Sequence, residues 1–349
     1  MADIQVKSEF TSAGVFEFPA DTSRPGRLNS GPSRFERSTG DHETYVTFFQ
    51  VCSATDTMSD IVVTGGLGRS GRWIVDRFVE DGSHVTIVDQ RQPTDDQFEA
   101  TESVDYRKID ITNGADILEL LHEVDPSVVV HWAAYTSTDH SAPGRVFRNN
   151  VISTYYTLMA AGQVGADVVF ASSDAVYGYE QLPTAFPITV DEPRCPADAY
   201  SLSKLVSEEI GRTVVRKYGI GVRAIRTTWI QYPGEYDCLN VQQAPEYGTV
   251  NYWSYCDIRD VVSAVEAATQ TPSAGFQAFN VIAAENYMDR PTLDLLRDHF
   301  GSVPDETKLT GEGSVYSLQS TTEILDWTPV HSWHQAATEE PEGPSAEDY

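Results

Sequence analysis

Tyr200 and Lys204 carry the clearest chemistry in the sequence. They lie four residues apart in the stretch DAYSLSK, and the following residues continue a helical pattern with an apolar stripe. Residues four apart lie on one helix face, so the phenol and the ammonium are neighbours. A free tyrosine titrates at roughly pH 10, and a nearby positive charge favours its phenolate. We therefore expect this pair to exchange protons with a hydroxyl substrate.

A glycine-rich turn upstream predicts what acts with that pair. Three glycines have the spacing G-x-x-G-x-x-G: Gly65, Gly68 and Gly71. The turn lies between an apolar strand and a helix, where backbone amides and the positive helix end bind a pyrophosphate. Asp89 ends the next predicted strand, eighteen residues beyond Gly71, where a carboxylate binds the adenosine ribose. We predict NAD as the cofactor, with NADP possible if Arg69 and Arg91 bind a 2′-phosphate.

Continuous apolar runs separated by helical segments begin at Met58. The predicted strands contain IVVT, VTIVD, VVVH, VVFASS, VRAIRTT and FNVI. Such runs are typical of parallel strands covered on both faces. The predicted fold class is α/β, a Rossmann-type doubly wound parallel sheet with a small C-terminal substrate-binding lobe.

The pattern divides the chain into regions. The predicted cofactor domain is 58–225 with a return at 256–283, and the predicted lobe is 226–255 with 284–335. Residues 1–57 are rich in helix breakers, so we expect either a disordered extension or an over-long start assignment. Residues 336–349 form an acidic tail that we also expect to be disordered.

Composition excludes several classes of protein. The 349 residues contain 52 acidic and 24 basic residues, giving a net charge of −28, and only five of the basic residues are Lys. This balance argues against a nucleic-acid surface. It favours a solvated surface of a salt-adapted protein, although an acidic face for a cationic partner is an alternative. With no long apolar run and no signal-peptide pattern, we expect a cytoplasmic protein without membrane contact.

The cysteines and the C-terminal histidines give little sign of a metal site or a disulfide framework. The four cysteines have no C-x-x-C spacing: Cys52, Cys195, Cys238 and Cys256. We expect them to be reduced thiols. His331 and His334 have a spacing that could hold a metal, but no further ligands lie in local spacing, so no metal is predicted.

Four motifs occur in a characteristic order: the glycine turn, HWAA at 131, SSDAVYG at 172 and YSLSK at 200. From Met58 to Trp327 the chain resembles the extended short-chain dehydrogenase/reductases, also called the NAD-dependent epimerase/dehydratase family. The resemblance implies that Tyr200, Lys204 and Ser173 are catalytic. Ser173 would orient a substrate hydroxyl while hydride leaves to the cofactor, and Lys204 would also hold the nicotinamide ribose.

The resemblance extends the cofactor site beyond the glycine turn. It implies that Asp110 and Ile111 flank the adenine, that Ala133 and Ala134 line the cofactor, and that Asn150 supports the catalytic helix. The predicted cofactor residues are Gly65, Gly68, Arg69, Ser70, Gly71, Asp89, Asp110, Ile111, Ala133, Ala134, Asn150, Tyr200 and Lys204. A homodimer is also implied by the resemblance.

Departures from the family pattern limit the reactions and substrates that we expect for this chain. Dehydratase members resemble STDEVYG, but here Asp174 is followed by Ala175 instead of the second acid, so dehydration is not expected. Nucleotide-sugar epimerases have an Asn where this chain has Trp229, and a diphosphate-binding Arg where it has Trp253. Only 28 residues separate Arg226 from Tyr255, which indicates a site too small for a nucleoside diphosphate.

A short lobe with aromatic walls favours a free sugar. The stretch WSYCD is similar to WLSYDD of uronate dehydrogenases. The predicted substrate residues are Ser173, Asp174, Arg226, Trp229 and Trp253. Arg226 could equally be structural, and both tryptophans could instead be core residues.

We therefore predict an NAD(P)-dependent enzyme that oxidises a monosaccharide or uronate to a lactone. The first alternative is an NAD-dependent epimerase of a sugar or nucleotide sugar, in which hydride is removed and returned. The second is a non-catalytic NAD-sensing regulator, which would have no need for Ser173, Tyr200 and Lys204.

Overall fold

A seven-stranded parallel sheet forms the centre of the protein. The computed structural model describes residues 60–93, 102–136, 142–272, 274–336 and 338–340. The strands are β1 Asp60–Thr64, β2 His84–Asp89, β3 Val104–Lys108, β4 Val128–His131, β5 Asp167–Ser173, β6 Gly221–Thr227, β7 Ile230–Gln231, β8 Cys256–Asp257 and β9 Gly275–Val281. The sheet order is β3-β2-β1-β4-β5-β6-β9, and β7 pairs with β8 separately. This topology confirms the predicted fold class.

Helices cover both faces of the sheet. They are α1 Arg69–Glu80, α2 Gly114–Val124, α3 Pro143–Val164, α4 Ala199–Tyr218, α5 Ile258–Gln270, α6 Thr292–Phe300, α7 Gln319–Leu325 and α8 Trp333–Ala336. Apolar residues of α1 and α5 pack with Val63 on one face. Those of α2, α3 and α4 pack with Val62 on the other. Successive strand residues point to opposite faces, so a central strand is apolar throughout. None of the described helices is long and apolar enough to cross a membrane.

The sequence pattern did not indicate β3. Its residues VDYRK include three charged side chains and are all half-buried or exposed. Among the strands that the structure describes, it pairs with β2 alone and lies at the edge of the sheet. An edge strand is not covered like a central one, so its sequence lacks the continuous apolar run that marks the others.

A third apolar core forms the lobe, with boundaries different from those predicted. It contains Tyr177, Phe186 and Ile188, which precede residue 226, together with residues between 236 and 316. The long segment between β5 and α4 therefore belongs partly to the lobe. Conversely, Trp327 packs on the core of the sheet, where its indole nitrogen donates to the Ser263 hydroxyl over 2.9 Å. The predicted extension 1–57, which contains Cys52, lies outside the described residues, as do residues 337 and 341–349 of the predicted tail 336–349.

Candidate active site

The glycine turn folds too tightly for side chains at two of its positions. Gly65 has a φ of 71°, and a Cβ there would come within 2.6 Å of the Ala133 Cα. A Cβ on Gly71 would lie 2.0 Å from the Gly65 carbonyl oxygen. Both distances are below van der Waals contact, so only glycine allows β1, the turn, α1 and the segment after β4 to approach this closely. Ala133 lies two residues after the end of β4 and borders the turn, and Ala134 follows it.

The N-terminus of α1 has the form of an anion site. Its N-cap is Gly68, which offers no side-chain cap, and no acidic residue lies in the first turn. The first amides of a helix need acceptors, and the helix dipole makes this end positive. Ser70 lies in the first turn, and its hydroxyl accepts a 3.1 Å hydrogen bond from the Trp132 indole. The turn is thereby fixed to the end of β4.

Asp89 lies at the end of β2, beside the glycine turn. Its carboxylate accepts hydrogen bonds from the backbone nitrogens of Leu67, at 3.3 Å, and Arg91, at 3.1 Å. The Arg91 guanidinium donates to the Leu67 carbonyl and lies 3.5 Å from Asp89. Next along the chain, Asp110 accepts from the Thr112 backbone nitrogen at 2.9 Å, and Ile111 is buried.

Arg69 points toward the lobe segment after β7 instead of joining Arg91. Its guanidinium forms an ion pair with Glu235 and lies 3.7 Å from the centroid of the Tyr232 ring. The prediction that Arg69 and Arg91 could together bind a 2′-phosphate therefore does not match this arrangement. Arg69 instead links the glycine turn to residues 232–235.

Helix α4 begins in a way that fixes the position of Tyr200. Asp198 caps the helix and accepts hydrogen bonds from the backbone nitrogens of Tyr200, at 2.7 Å, and Ser201, at 2.9 Å. The Ser201 hydroxyl accepts in return from the Asp198 backbone nitrogen, completing a capping box. Tyr200 therefore lies in the first turn, and Lys204 lies one turn further on the same face.

Ser173, Tyr200 and Lys204 lie around the carboxyl end of β5. Ser173 is the last residue of β5, and its side chain acts to lower the pKa of Tyr200. The Lys204 ammonium donates to the Ala171 carbonyl over 2.8 Å and lies 5.5 Å from the Tyr200 ring centroid. The three groups thus meet where the carboxyl ends of β1, β4 and β5 open beside the glycine turn.

The pKa of Tyr200 differs from the sequence-based expectation. Burial raises it to about 12, although the Ser173 side chain acts in the opposite direction. Burial also lowers the pKa of Lys204 to about 8. The effect of burial on the Tyr200 pKa thus outweighs any lowering by the Lys204 ammonium, which donates instead to the Ala171 carbonyl. Burial therefore disfavours the phenolate form of Tyr200.

Asn150 connects the two helices behind the site. Its amide oxygen accepts from the Tyr135 backbone nitrogen at 2.8 Å, and its amide nitrogen donates to the Tyr135 carbonyl at 3.0 Å. The same nitrogen donates to the Ser203 hydroxyl at 3.2 Å. Because Ser203 lies between Tyr200 and Lys204 on α4, Asn150 contacts the helix that carries them.

Asp174 lies in a cage of hydroxyl groups that sequence reasoning missed. The Tyr316 hydroxyl donates to its carboxylate over 3.0 Å, and Ser173 donates over 3.2 Å. The Thr228 and Tyr179 side chains also act to lower its pKa. Burial raises the pKa of Asp174, while these hydrogen bonds oppose the increase. No local spacing links these residues, so no sequence pattern predicts the cage.

Arg226 is a structural residue in this arrangement, which is one of its two predicted roles. It is fully buried and donates two 2.8 Å hydrogen bonds to Glu208 on α4. It also donates to the Tyr177 hydroxyl and the Val190 carbonyl, at 2.7 and 2.9 Å. These bonds occupy the guanidinium, so it is not placed to bind a substrate.

The two tryptophans differ in burial. Trp253 is fully buried in the lobe core, and its indole nitrogen donates to the Pro245 carbonyl over 2.7 Å. It therefore corresponds to the core alternative rather than to a substrate wall. Trp229 is 39% exposed and meets the Tyr287 ring edge to face. Only Trp229 of the two offers a surface to a ligand.

A family model described as "NAD dependent epimerase/dehydratase family" matches residues 61–281, from β1 to the end of β9. The chain belongs to this family. The matched residues include the glycine turn and both Tyr200 and Lys204.

Several relatives are named as epimerases. A putative UDP-glucose 4-epimerase of Methanocaldococcus jannaschii is 34% identical over 170 residues, 48% of this chain and 54% of that protein. The chain thus spans about half the length of the first curated relatives it matches. The UDP-glucose 4-epimerase of Corynebacterium glutamicum is 24% identical over 308 residues, 78% of this chain and 91% of that protein.

Solved structures share the fold. The Bordetella bronchiseptica enzyme WbmG, in complex with NAD and UDP, superposes with a TM-score of 0.62 at 18% identity. The similarity covers 82% of this chain and 94% of that one.

NAD is the cofactor of this family, and the residues of this chain fit it. At Gly65 and Gly71 a Cβ would collide with neighbouring backbone atoms, so the turn carries no side chains there. The N-terminus of α1 has no side-chain cap, which leaves its amides available to a pyrophosphate. Asp89 would hold the adenosine ribose, and Lys204 the nicotinamide ribose. When bound, NAD supplies a hydride acceptor that can also return the hydride.

Proposed function

We propose that the protein is an NAD-dependent epimerase of a nucleotide-linked sugar. Tyr200 removes the proton of a sugar hydroxyl as the carbon loses its hydride, and returns the proton when hydride comes back to the opposite face. The observation that carries this proposal is the position of the Lys204 ammonium, 5.5 Å from the centroid of the Tyr200 ring and one turn away on the same helix face. The epimerase names of the relatives support the reaction type.

The contact between Arg69 and Glu235 supports an epimerase further. An epimerase keeps its cofactor through the whole reaction, whereas a dehydrogenase must release reduced cofactor in each turnover. Arg69 belongs to the glycine turn, and its ion pair with Glu235 and its stacking on Tyr232 join that turn to the lobe. Because these contacts lie beside the pyrophosphate site, they would slow the dissociation of NAD.

A second candidate is a dehydrogenase of a free monosaccharide or uronate. It is favoured by Trp253, which stands where related epimerases carry the arginine that binds the substrate diphosphate. Trp253 is fully buried, so this position supplies neither a positive charge nor a surface to the substrate. The two candidates share the same chemistry at Tyr200 and differ in whether reduced cofactor leaves.

The deciding experiment is a substrate panel with two readouts. The protein is incubated with NAD and, separately, UDP-glucose, UDP-galactose, glucose and glucuronate, while epimer formation and NADH are both followed. Interconversion of the UDP-sugars without net NADH supports the epimerase. NADH accumulating in proportion to an oxidised free sugar would replace it with the dehydrogenase.

A cofactor-retention assay and one variant complete the test. Protein purified without added NAD is denatured, and the released nucleotide is quantified; an epimerase of this kind should carry NAD through purification. Tyr200→Phe should still bind NAD but lose turnover. Undiminished turnover in this variant would contradict the proposed role of Tyr200 in either reaction.

A further inference from the structure

A hydrogen bond between Trp132 and Ser70 spans the point where the sheet changes its direction of winding. The Trp132 indole nitrogen donates to the Ser70 hydroxyl over 3.1 Å. Ser70 lies in the first turn of α1, which follows β1, and Trp132 follows β4 directly. Successive strands extend the sheet on one side from β1 to β3, and on the other side from β4 onward. Dinucleotides bind at such a switch point.

Trp132 is fixed by contacts of its own. Its backbone nitrogen donates to the carbonyl of Thr64, the last residue of β1, over 3.1 Å. Its side chain is buried and belongs to the same apolar core as Ile74 and Val75 of α1. The indole nitrogen therefore presents its hydrogen to Ser70 from a fixed position.

The hydrogen of the Ser70 hydroxyl is left for a further acceptor. A serine hydroxyl has one hydrogen and two acceptor positions, and an indole N–H can only donate, so Trp132 occupies an acceptor position. Within the described part of the chain, the bond from Trp132 is the one hydrogen bond of this hydroxyl. The first turn of α1 contains no acidic residue, and Glu235, which reaches this turn, is paired with Arg69.

We propose that Trp132 is a positioning residue for NAD, because it holds the Ser70 hydroxyl so that the hydroxyl hydrogen is directed to the pyrophosphate. Ser70 contacts the cofactor in this arrangement, and Trp132 acts through Ser70. The inference goes beyond the proposed function, since it concerns how the cofactor is held and not which sugar reacts.

The chemistry of the turn favours this role for Ser70. Pyrophosphate oxygens accept hydrogen bonds, and a bond to a charged group stabilises more than a bond between neutral groups. A hydroxyl that accepts from an indole also becomes a stronger donor, because successive hydrogen bonds polarise one another. Between Gly65 and Gly71 the turn has two polar side chains, those of Arg69 and Ser70, and the Arg69 guanidinium is directed to Glu235.

A purely structural role for the bond predicts a different pattern of effects. If the bond only ties α1 to the end of β4, Ser70→Ala and Trp132→Phe remove the same interaction and should weaken NAD binding equally. If the hydroxyl also contacts the pyrophosphate, Ser70→Ala loses that contact as well. Trp132→Phe then keeps the hydroxyl and loses only its orientation.

The test is calorimetric titration with NAD and with ADP, which has a pyrophosphate but no nicotinamide. Ser70→Ala should raise the Kd for both ligands about tenfold, the loss of one hydrogen bond to a charged group. Trp132→Phe should raise both values about threefold, the loss of a neutral hydrogen bond. The double variant should bind no more weakly than Ser70→Ala, because Trp132 has no effect without the hydroxyl.

Three results would each overturn the proposal. They are equal effects of the two single substitutions, additive effects in the double variant, and a loss of affinity for NAD that ADP does not share. An unchanged Kd in Trp132→Phe would do the same.

Trp73→Phe is the matched control. Trp73 lies on the same helix, and its buried indole nitrogen has no hydrogen-bond partner among the residues that the structure describes. The substitution should therefore leave both Kd values unchanged. An increase equal to that in Trp132→Phe would show that loss of any indole at α1 weakens binding, and would contradict the proposal.

A second replacement of Trp132 removes the donor while keeping the packing. In 3-benzothienylalanine a sulfur atom replaces the indole N–H, so the side chain fills the same space but cannot donate to Ser70. Protein with this residue at position 132 should show the same threefold increase as Trp132→Phe, about the size of one neutral hydrogen bond. Wild-type affinity in this protein would overturn the role of Trp132.

These titrations contain no sugar, so they separate this inference from the proposed function. If the substrate panel shows a dehydrogenase, the expected Kd values stay the same. If Ser70→Ala binds NAD and ADP as the wild type does, this inference fails and the proposed epimerase is unaffected.

Discussion

Arg226 and Glu208 form a two-pronged ion pair inside the protein, with the Nε and Nη2 atoms each 2.8 Å from a carboxylate oxygen. The pair links β6 to α4, the helix that carries Tyr200 and Lys204, and Ser172 on β5 adds a third 2.8 Å bond to Glu208. Burial alone would raise the pKa of Glu208, but the hydrogen bonds and charge of Arg226 hold it below its ordinary value.

Breaking this pair should cost much stability. Glu208→Gln leaves the Arg226 charge buried without its counter-charge, and we expect the free energy of unfolding to fall by about 3–5 kcal/mol. Urea denaturation measures the loss. Arg194→Gln is the control, because Arg194 also contacts Glu208 but is 27% exposed, so its loss should cost less than about 1 kcal/mol. Equal effects of the two substitutions would contradict a structural role for the buried pair.

Substitutions of the two tryptophans should differ in their effects: loss of Trp253 should lower stability, and loss of Trp229 should weaken substrate binding. Trp253→Ala removes a fully buried side chain from the lobe core and should lower the free energy of unfolding by about 3–5 kcal/mol. Trp229→Ala removes a partly exposed ring and should change it by less than about 1 kcal/mol while raising KM. Urea denaturation and steady-state kinetics on both variants check this. A stable Trp253→Ala protein with a raised KM would restore Trp253 as a substrate wall.

Gly71→Ala should destroy the glycine turn. The added Cβ would lie 2.0 Å from the Gly65 carbonyl oxygen, so α1 must move away from the turn. We expect the Kd for NAD to rise by about tenfold or more, which corresponds to about 1.4 kcal/mol. Calorimetric titration with NAD measures the change. In Gly144→Ala the added Cβ has nothing within 4 Å, so this control should bind NAD normally.

His131 should make stability depend on pH. It is buried between Thr64 and Thr154, with ring nitrogens 2.8 and 3.1 Å from their hydroxyls, and burial lowers its pKa to about 3. The unfolded chain binds a proton below roughly pH 6.5, whereas the folded protein does not until about pH 3. Stability is therefore lost as pH falls between these values.

The test is to compare the wild type with His131→Gln in urea at several pH values between roughly 6 and 4. The difference in unfolding free energy between the two proteins should change by about 1.4 kcal/mol per pH unit, because one proton is taken up on unfolding. A constant difference would mean that His131 already carries a proton in the folded state.

Local patterns were sufficient to predict most of the sheet and the positions of Tyr200 and Lys204 on one helix face. Central strands such as β1 are covered on both faces, and this requirement leaves a continuous apolar run in the sequence. The spacing of Tyr200 and Lys204 is likewise set by the helix alone. The glycine turn could be recognised from its spacing, because the close packing of the backbone at Gly71 allows no residue with a Cβ and so requires a glycine in the sequence.

Contacts between distant segments could not be predicted in this way. Tyr316 lies 142 residues from Asp174 and reaches it only because the lobe folds against the end of β5. Trp253 stands where a charged residue is typical of epimerases, and its type alone did not distinguish a pocket wall from a core residue. Arg226 could have been recognised as structural, since a buried strand position requires a partner for its charge, and Glu208 provides it.

The hydrogen bond from Tyr316 to Asp174 means that the lobe helps to set the acid strength of a group belonging to the nucleotide-binding half. Exchanging this lobe for that of a relative, in order to alter sugar preference, would therefore also change the pKa of Asp174. A chimera that lacks the phenol at position 316 loses a hydrogen bond that lowers this pKa, so Asp174 should hold its proton to higher pH there than in a chimera that keeps the phenol.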